Sequence, residues 1–241
     1  MMETSVMIGI IRFVEDESKF ERFVNGSVQF GAPERYRCHP EGKHRLGVSD
    51  NNESRILTYR EERDGADSAP LIEFSLSTDP RKIPDVFYPI GKAKSLDLKN
   101  ADDHYISSWY TVSIDGSNVY EELERIKEET TNMISQFGRH SIFILTEDIP
   151  ELISRMESHS NKKIISGRVK YTHDILKHGP LCKGVDFSYQ QEYRFLIAGC
   201  GSKETAPLNF NCENGFHDLV KQGIYFKIEQ GELYYALQQT G

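Results

Sequence analysis

Apolar residues run almost unbroken through SVMIGIIRFVE, residues 5–15, and a β-branched run of this length predicts a buried first strand. DESKFERFV follows with an acidic start and with Phe20, Phe23 and Val24 at helical spacing, so it predicts a short helix that stops at Asn25-Gly26. SVQFG then reads as a short strand closed by Gly31 and Pro33. From 34 to 70 the chain is polar and rich in loop signals, around a possible helix or strand at SRILTYREE, 54–62. LIEFSLS (71–77) alternates as a strand does, a proline-punctuated loop covers 78–93, and HYISSWYTVS (104–113) is a strand rich in aromatic and β-branched residues.

The second half is more regular. The longest helix candidate spans 117–138 and ends at Gly138; HSIFILT is a buried strand, and EDIPELISRMESHS is a helix with Pro150 near its first turn. KKIISGRVKYT reads as a strand or hairpin, VDFSYQQEYRFLIAG (185–199) as one strand, and GIYFKIE and ELYYALQ as two closing strands. The order predicts an α+β protein with a mixed, mostly antiparallel sheet core and flanking helices. Its 241 residues suit a single domain, 1–241, with the loop-rich segment at about 34–70 as an elaboration.

Composition narrows the function classes. Hydrophobic residues make up 38% and charged residues 27%, a balance that speaks against both a membrane protein and a disordered chain. A formal net charge of −8 repels a nucleic-acid backbone, so such a partner would need a local basic patch, for which SNKKIISGRVK (160–170) is the best candidate. The plainer reading of that run is a solvated loop and strand edge. The charge block from 121, EELERIKEETTNM, is most simply an exposed helix face. Cys38, Cys182, Cys200 and Cys212 form no CxxC pair and indicate neither a zinc site nor a disulfide framework; free thiols in the cytoplasm are the expectation. The N-terminus lacks a basic region before its apolar run, and no stretch approaches a membrane span.

Three places carry candidate chemistry. Arg12 interrupts the first strand, where a guanidinium must find a partner, an anionic ligand or solvent. ISSWY sets Ser107 and Ser108 beside the single tryptophan, and on a strand adjacent serines point to opposite faces, so only one is expected in a given cleft. In VDFSYQQEYRFLI the same alternation puts Phe187, Tyr189, Gln191, Tyr193 and Phe195 on one face, and Ser188, Gln190, Glu192, Arg194 and Leu196 on the other. The plain alternative for that second face is a solvated strand surface. No phosphate-binding loop, dinucleotide fingerprint, zinc-protease motif or nucleophile elbow is present.

Two segments, IIRFVEDESKFERFVNGSVQFGAPERYR and CKGVDFSYQQEYRFLI, together resemble an uncharacterised bacterial family that includes abortive-infection, phage-resistance proteins of the AbiGi type. The likeness covers roughly the first 55 residues and 180–197, with Lys183, Tyr189, Glu192 and Arg194 matching a late K…Y-x-x-E-x-R strand. The order of Arg12, then Ser107 or Ser108, then Gln190-Gln191-Glu192 also looks like the ADP-ribosyltransferase fold. The resemblance implies NAD as substrate, with Arg12 and Ser107 or Ser108 as NAD-binding residues and Glu192 and Gln190 as the catalytic pair. It implies a nucleic-acid or protein acceptor, a setting in phage defence or a toxin system, and a cognate antitoxin as a further partner. The competing expectation is a non-catalytic antitoxin, sensor or interaction protein from the same setting.

Overall fold

The computed structural model describes residues 6–37, 103–114, 118–173, 179–201, 203–229 and 232–239. Expectations for the remainder of the loop-rich segment, for 54–62, 71–77 and 78–93, and for Cys38 lie outside these residues. The elements before the gap are β1 (Val6–Val14), α1 (Glu17–Val24), β2 (Ser27–Phe30) and α2 (Pro33–Arg37). After it come β3 (Asp103–Ile114), α3 (Val119–Phe137), β4 (His140–Leu145), α4 (Ile149–Ser160), β5 (Ile164–Arg168), β6 (Lys170–Thr172) and β7 (Cys182–Gly184). A 3-10 helix (Val185–Gln190), β8 (Glu192–Cys200), β9 (Leu208–Asn211), β10 (Val220–Glu229) and β11 (Glu232–Gln239) complete the order.

Helix ends follow local chemistry. The Asp16 carboxylate accepts from the Lys19 backbone N–H and caps α1, and the Asn118 side chain caps α3 in the same way. Pro150 sits in the first turn of α4, where its missing N–H leaves nothing unpaired. Gly26 ends the α1 turn with φ +96°, and a Cβ there would stand 2.0 Å from the Cys212 carbonyl oxygen. The Asn25-Gly26 stop is therefore set twice, by backbone sign and by the close approach of the chain leaving β9.

Seven strands form one antiparallel sheet in the order β11-β10-β4-β1-β3-β8-β5, which agrees with the expected α+β class. β2 pairs with β9, and β6 pairs in parallel with β7, each as a separate ribbon. On one face Phe20, Phe23 and Val24 of α1 and Ile149, Leu152 and Met156 of α4 pack on Ile10, Trp109, Ile144, Phe195 and Ile197. On the other face Ile126 and Met133 of α3 pack on Ile11, Phe13, Tyr110, Val112 and Phe143. β1, read as buried, lies in the middle of the sheet. The segment 162–172 forms no hairpin: β5 pairs with β8, and β6 turns away to β7.

Replacing Gly26 by alanine is expected to destabilise the fold by about 1–3 kcal/mol, the usual range for a strained backbone position. Urea denaturation of the variant beside the wild type measures it. An unchanged midpoint would mean that the α1 turn relaxes freely.

Candidate active site

The site begins where the central sheet stops pairing with itself. β1 and β3 are partnered from Val6↔Ile114 to Ile11↔Tyr110; beyond that point Arg12–Val14 pair only with β4, while the first half of β3 pairs with β8. Gly31, just past β2, takes over part of the vacated edge: it exchanges two backbone hydrogen bonds of 2.8 Å with Ile106. A cavity of about 290 Å³ occupies the fork, bounded by Ile11–Phe13 of β1, Ile106–Tyr110 of β3, Tyr36 of α2, and Lys183, Gln190, Glu192 and Arg194. That volume lies at the lower end of the roughly 300–1,000 Å³ typical of small-molecule sites.

Arg12 enters from the face that carries α1 and α4. Its Nη1 donates to the Ser107 hydroxyl at 2.9 Å, and its guanidinium carbon lies 5.9 Å from the centre of the Trp109 ring. Trp109 Nε1 also donates to Ser107 Oγ, at 3.1 Å. Ser107 thus accepts twice, which leaves its own O–H as a donor. Among the described residues Arg12 has no carboxylate partner, and burial lowers its pKa from the ordinary value. The nearby Tyr36 hydroxyl opposes that lowering in part, and a guanidinium keeps its proton even so, so Arg12 brings a positive charge to the cavity.

Glu192 enters from the opposite face, in register with Tyr110. Its Oε2 accepts from Ser108 Oγ and Arg194 Nε, each at 2.8 Å, and its Oε1 accepts from Lys183 Nζ at 2.7 Å. Glu192 is 6% exposed and Arg194 1%, so the solvated strand face allowed by the alternation does not form. Burial by itself pushes the Glu192 carboxyl up, but Arg194 and Lys183 outweigh it and hold the group well below the usual carboxylate range. The carboxylate is therefore ionised at neutral pH.

The approach to Glu192 differs from the single strand read over 185–199. Residues 185–190 coil as a 3-10 helix, Gln191 turns left-handed at φ 40° and ψ 48°, and β8 starts only at Glu192. Gln191 is bound into that turn: its backbone N–H and its side-chain amide both donate to the Ser188 carbonyl, at 3.2 and 2.9 Å. Its own carbonyl accepts from Thr111 N–H at 2.8 Å. The expected two-residue step between Gln190 and Glu192 along one strand face is therefore absent. The two meet instead through Lys183, whose Nζ reaches Gln190 Oε1 at 3.0 Å.

Arg12, Ser107, Ser108, Gln190 and Glu192 all line the one cavity. The expectation that only one serine reaches a given cleft is corrected by the fork, which opens through the sheet: buried Ser107 ties to Arg12 on one face, and exposed Ser108 ties to Glu192 on the other. Lys183, Arg194 and Tyr36 join the site although none was singled out for it. Arg194 shares a strand face with Glu192, a local signal, and Lys183 stands with both in the K…Y-x-x-E-x-R pattern of the resemblance, whereas Tyr36 is brought in by tertiary packing that leaves no trace in spacing. Three cations, Arg12, Lys183 and Arg194, face one carboxylate here, in a chain of net charge −8. Field lines focused in such a cleft attract anions. Compared with family models, with curated proteins and with solved structures, the chain matches none.

The depressed Glu192 carboxyl carries a pH signature. Its contribution to stability is complete above the unfolded value of about 4.3 and is lost as pH falls toward the lower folded value. Glu192→Gln should destabilise the protein at neutral pH by about 3–5 kcal/mol, because it leaves two buried cations without a counter-charge. The gap between wild type and variant should then narrow steadily on acidification below about pH 4. Urea midpoints measured across that range decide it, and a constant gap would refute an ionised, buried Glu192.

Proposed function

We propose that the protein is an ADP-ribosyltransferase-like enzyme that uses NAD and modifies a nucleic-acid or protein acceptor. The observation that carries this reading is the convergence of Arg12 and Glu192, 180 residues apart, on opposite rims of one cavity. Two adjacent serines link the rims, Ser107 to Arg12 and Ser108 to Glu192. The resemblance of the sequence supports it, and the setting in phage defence or a toxin system, with a cognate antitoxin, rests on that resemblance.

The chemistry asked of these residues is modest and matches their states. In transfer, the bond between nicotinamide and ribose C1′ breaks with its electron pair leaving on nicotinamide; a lone pair of the acceptor forms the new bond to C1′, and the acceptor's proton passes to solvent. Positive charge builds on the ribose in between. Glu192, held ionised in a water-poor pocket, stabilises that charge and accepts from a ribose hydroxyl. A carboxyl held so far below neutrality is a poor proton acceptor, so its part is electrostatic rather than that of a general base. Arg12 and the Ser107 O–H offer donors to phosphate or carbonyl oxygens of NAD. Gln190, whose amide oxygen accepts from Lys183 and whose amide nitrogen donates to the Tyr189 hydroxyl at 3.4 Å, lines the cavity where an acceptor would be oriented. The cavity takes the nicotinamide-ribose end, and the rest of the dinucleotide lies across its mouth.

One observation favours the second reading, a non-catalytic binding module. Glu192 already receives three donors, an arrangement that also serves a purely structural ion cluster. Labelled NAD, incubated with the protein and with protein, RNA and DNA acceptors, separates the two. Transfer or nicotinamide release is expected from the wild type, with a fall of about 10²–10³-fold in Glu192→Gln. Arg12→Met should weaken NAD binding by about tenfold or more while leaving the fold intact. An NAD that is neither bound nor consumed under any condition would leave the binding module standing.

A further inference from the structure

We propose that Lys183 is a positioning residue of this site: it fixes the carboxylate of Glu192 and the amide of Gln190 in a single orientation toward the cavity. The inference rests on the transferase reading for its consequence in catalysis, and on geometry alone for the orientation itself.

The three donors to Glu192 are unevenly shared. Among the described residues, Ser108 and Arg194 both bind Oε2, and Lys183 alone binds Oε1. A carboxylate has about two acceptor sites on each oxygen, so among the described residues Oε2 is full and the remaining site lies on Oε1, beside the Lys183 ammonium. A ribose hydroxyl can meet Glu192 only there. Lys183 therefore stands next to the one point at which this carboxylate can touch a substrate.

Arg194 is committed differently. Its Nη1 donates to the Pro180 carbonyl at 2.7 Å, its Nε donates to Oε2, and it projects from the same strand as Glu192. Lys183 arrives from β7, outside the main sheet, 5% exposed, with Nζ 4.6 Å from the centre of the Phe187 ring. Of the two cations, it is the one bonded to both Gln190 and Glu192. Its removal takes the cationic partner from the Gln190 amide oxygen, leaving the amide its Tyr189 contact, and strips Oε1 of its donor among the described residues, while Arg194 and Ser108 still hold Oε2. Among the described residues the other ionisable groups around the carboxylate are Arg12 on β1, Tyr36 on α2, Tyr110 on β3 with its partner Glu129 on α3, and Tyr171 on β6, whose hydroxyl accepts from the Glu192 N–H. None of them contacts Oε1.

Two measurements on wild type, Lys183→Met and Lys183→Arg test the assignment. The first follows the Glu192 side-chain carboxyl carbon by NMR as pH is lowered, with Glu192→Gln used to assign the signal. The second follows nicotinamide release from NAD over the same pH range. Lys183→Met should move the Glu192 titration upward by about one pH unit or more, and Lys183→Arg should stay close to wild type. The acidic limb of kcat/KM should move with the titration, and kcat at neutral pH should fall by about 10–100-fold in Lys183→Met with rescue by Lys183→Arg. If Lys183→Met does not fold, Lys183→Gln replaces it with the same expected shift. A titration and a pH profile both unchanged in the methionine or glutamine variant overturn the role of Lys183. A wild type that releases no nicotinamide overturns the transferase reading instead, and the carboxyl titration then decides on Lys183 by itself.

Discussion

A strand in the middle of a sheet cannot leave its neighbour without consequence, because each buried N–H and C=O it abandons must find another partner. Here β1 and β3 part after Ile11↔Tyr110, and the rest of the site depends on how that parting is managed. Each strand keeps its outer neighbour, β4 for β1 and β8 for β3, so only the inner edges are vacated. Gly31 fills one of these edges by pairing with Ile106. A side chain at Gly31 would run into the Tyr36 ring, its Cβ standing 2.1 Å from the hydroxyl, so a bare backbone there also lets α2 lay Tyr36 against the cavity. The fork is thus held open by neighbouring elements.

The second constraint is charge. Ionised groups in a water-poor interior persist only when they are paired and hydrogen-bonded. The Glu192 end obeys this fully, with two cations and a hydroxyl on one carboxylate, and Arg194 is tied further to a backbone carbonyl. Among the described residues the Arg12 end obeys it only in part: a serine and an aromatic face stand where a carboxylate would complete the pair. The α3 side of the sheet offers an instructive contrast, since Arg125 there is closed off by Glu122 and Glu129 at 2.8 and 2.7 Å. The two arginines thus sit in different surroundings among the described residues, one between carboxylates and the other between a hydroxyl and an indole ring.

Much of the scaffold was legible in residue order. The Asn25-Gly26 stop, the long helix ending at Gly138, Pro150 in a first turn and the aromatic strand with the two serines each depend on neighbours within a few positions, and each appears within a residue or two of its expected place. What spacing did not show depends on distant partners. β9 has only four residues, LNFN, and exists because SVQF of β2 pairs with it across the chain, Gln29 meeting Asn209. The 3-10 helix before Glu192 is set by a left-handed Gln191 whose carbonyl is claimed by Thr111, a contact that alternation along 185–199 has no means of encoding. The candidate residues themselves were legible because buried charge and paired hydroxyls interrupt an apolar pattern. Of their partners, Lys183 was marked only by the K…Y-x-x-E-x-R pattern and Tyr36 by nothing, since both lie on short elements whose course is set elsewhere.

Adjacent serines on opposite faces of a strand would ordinarily serve two unrelated surfaces. In an intact sheet the hydrogen-bonded backbone between them is a wall, and Arg12 and Glu192, projecting to different sides of it, would share nothing. Opening the sheet at that level removes the wall without changing which way either side chain points. The alternation that argues against a common cleft in a closed sheet then argues for one in a forked sheet, because two consecutive hydroxyls, Ser107 and Ser108, reach both rims from a single backbone step. Coupling of this kind is short and stiff: a shift of β3 moves the Arg12 and Glu192 contacts together. The distance between the two charges is therefore governed by one strand rather than by the 180 residues that separate them in sequence.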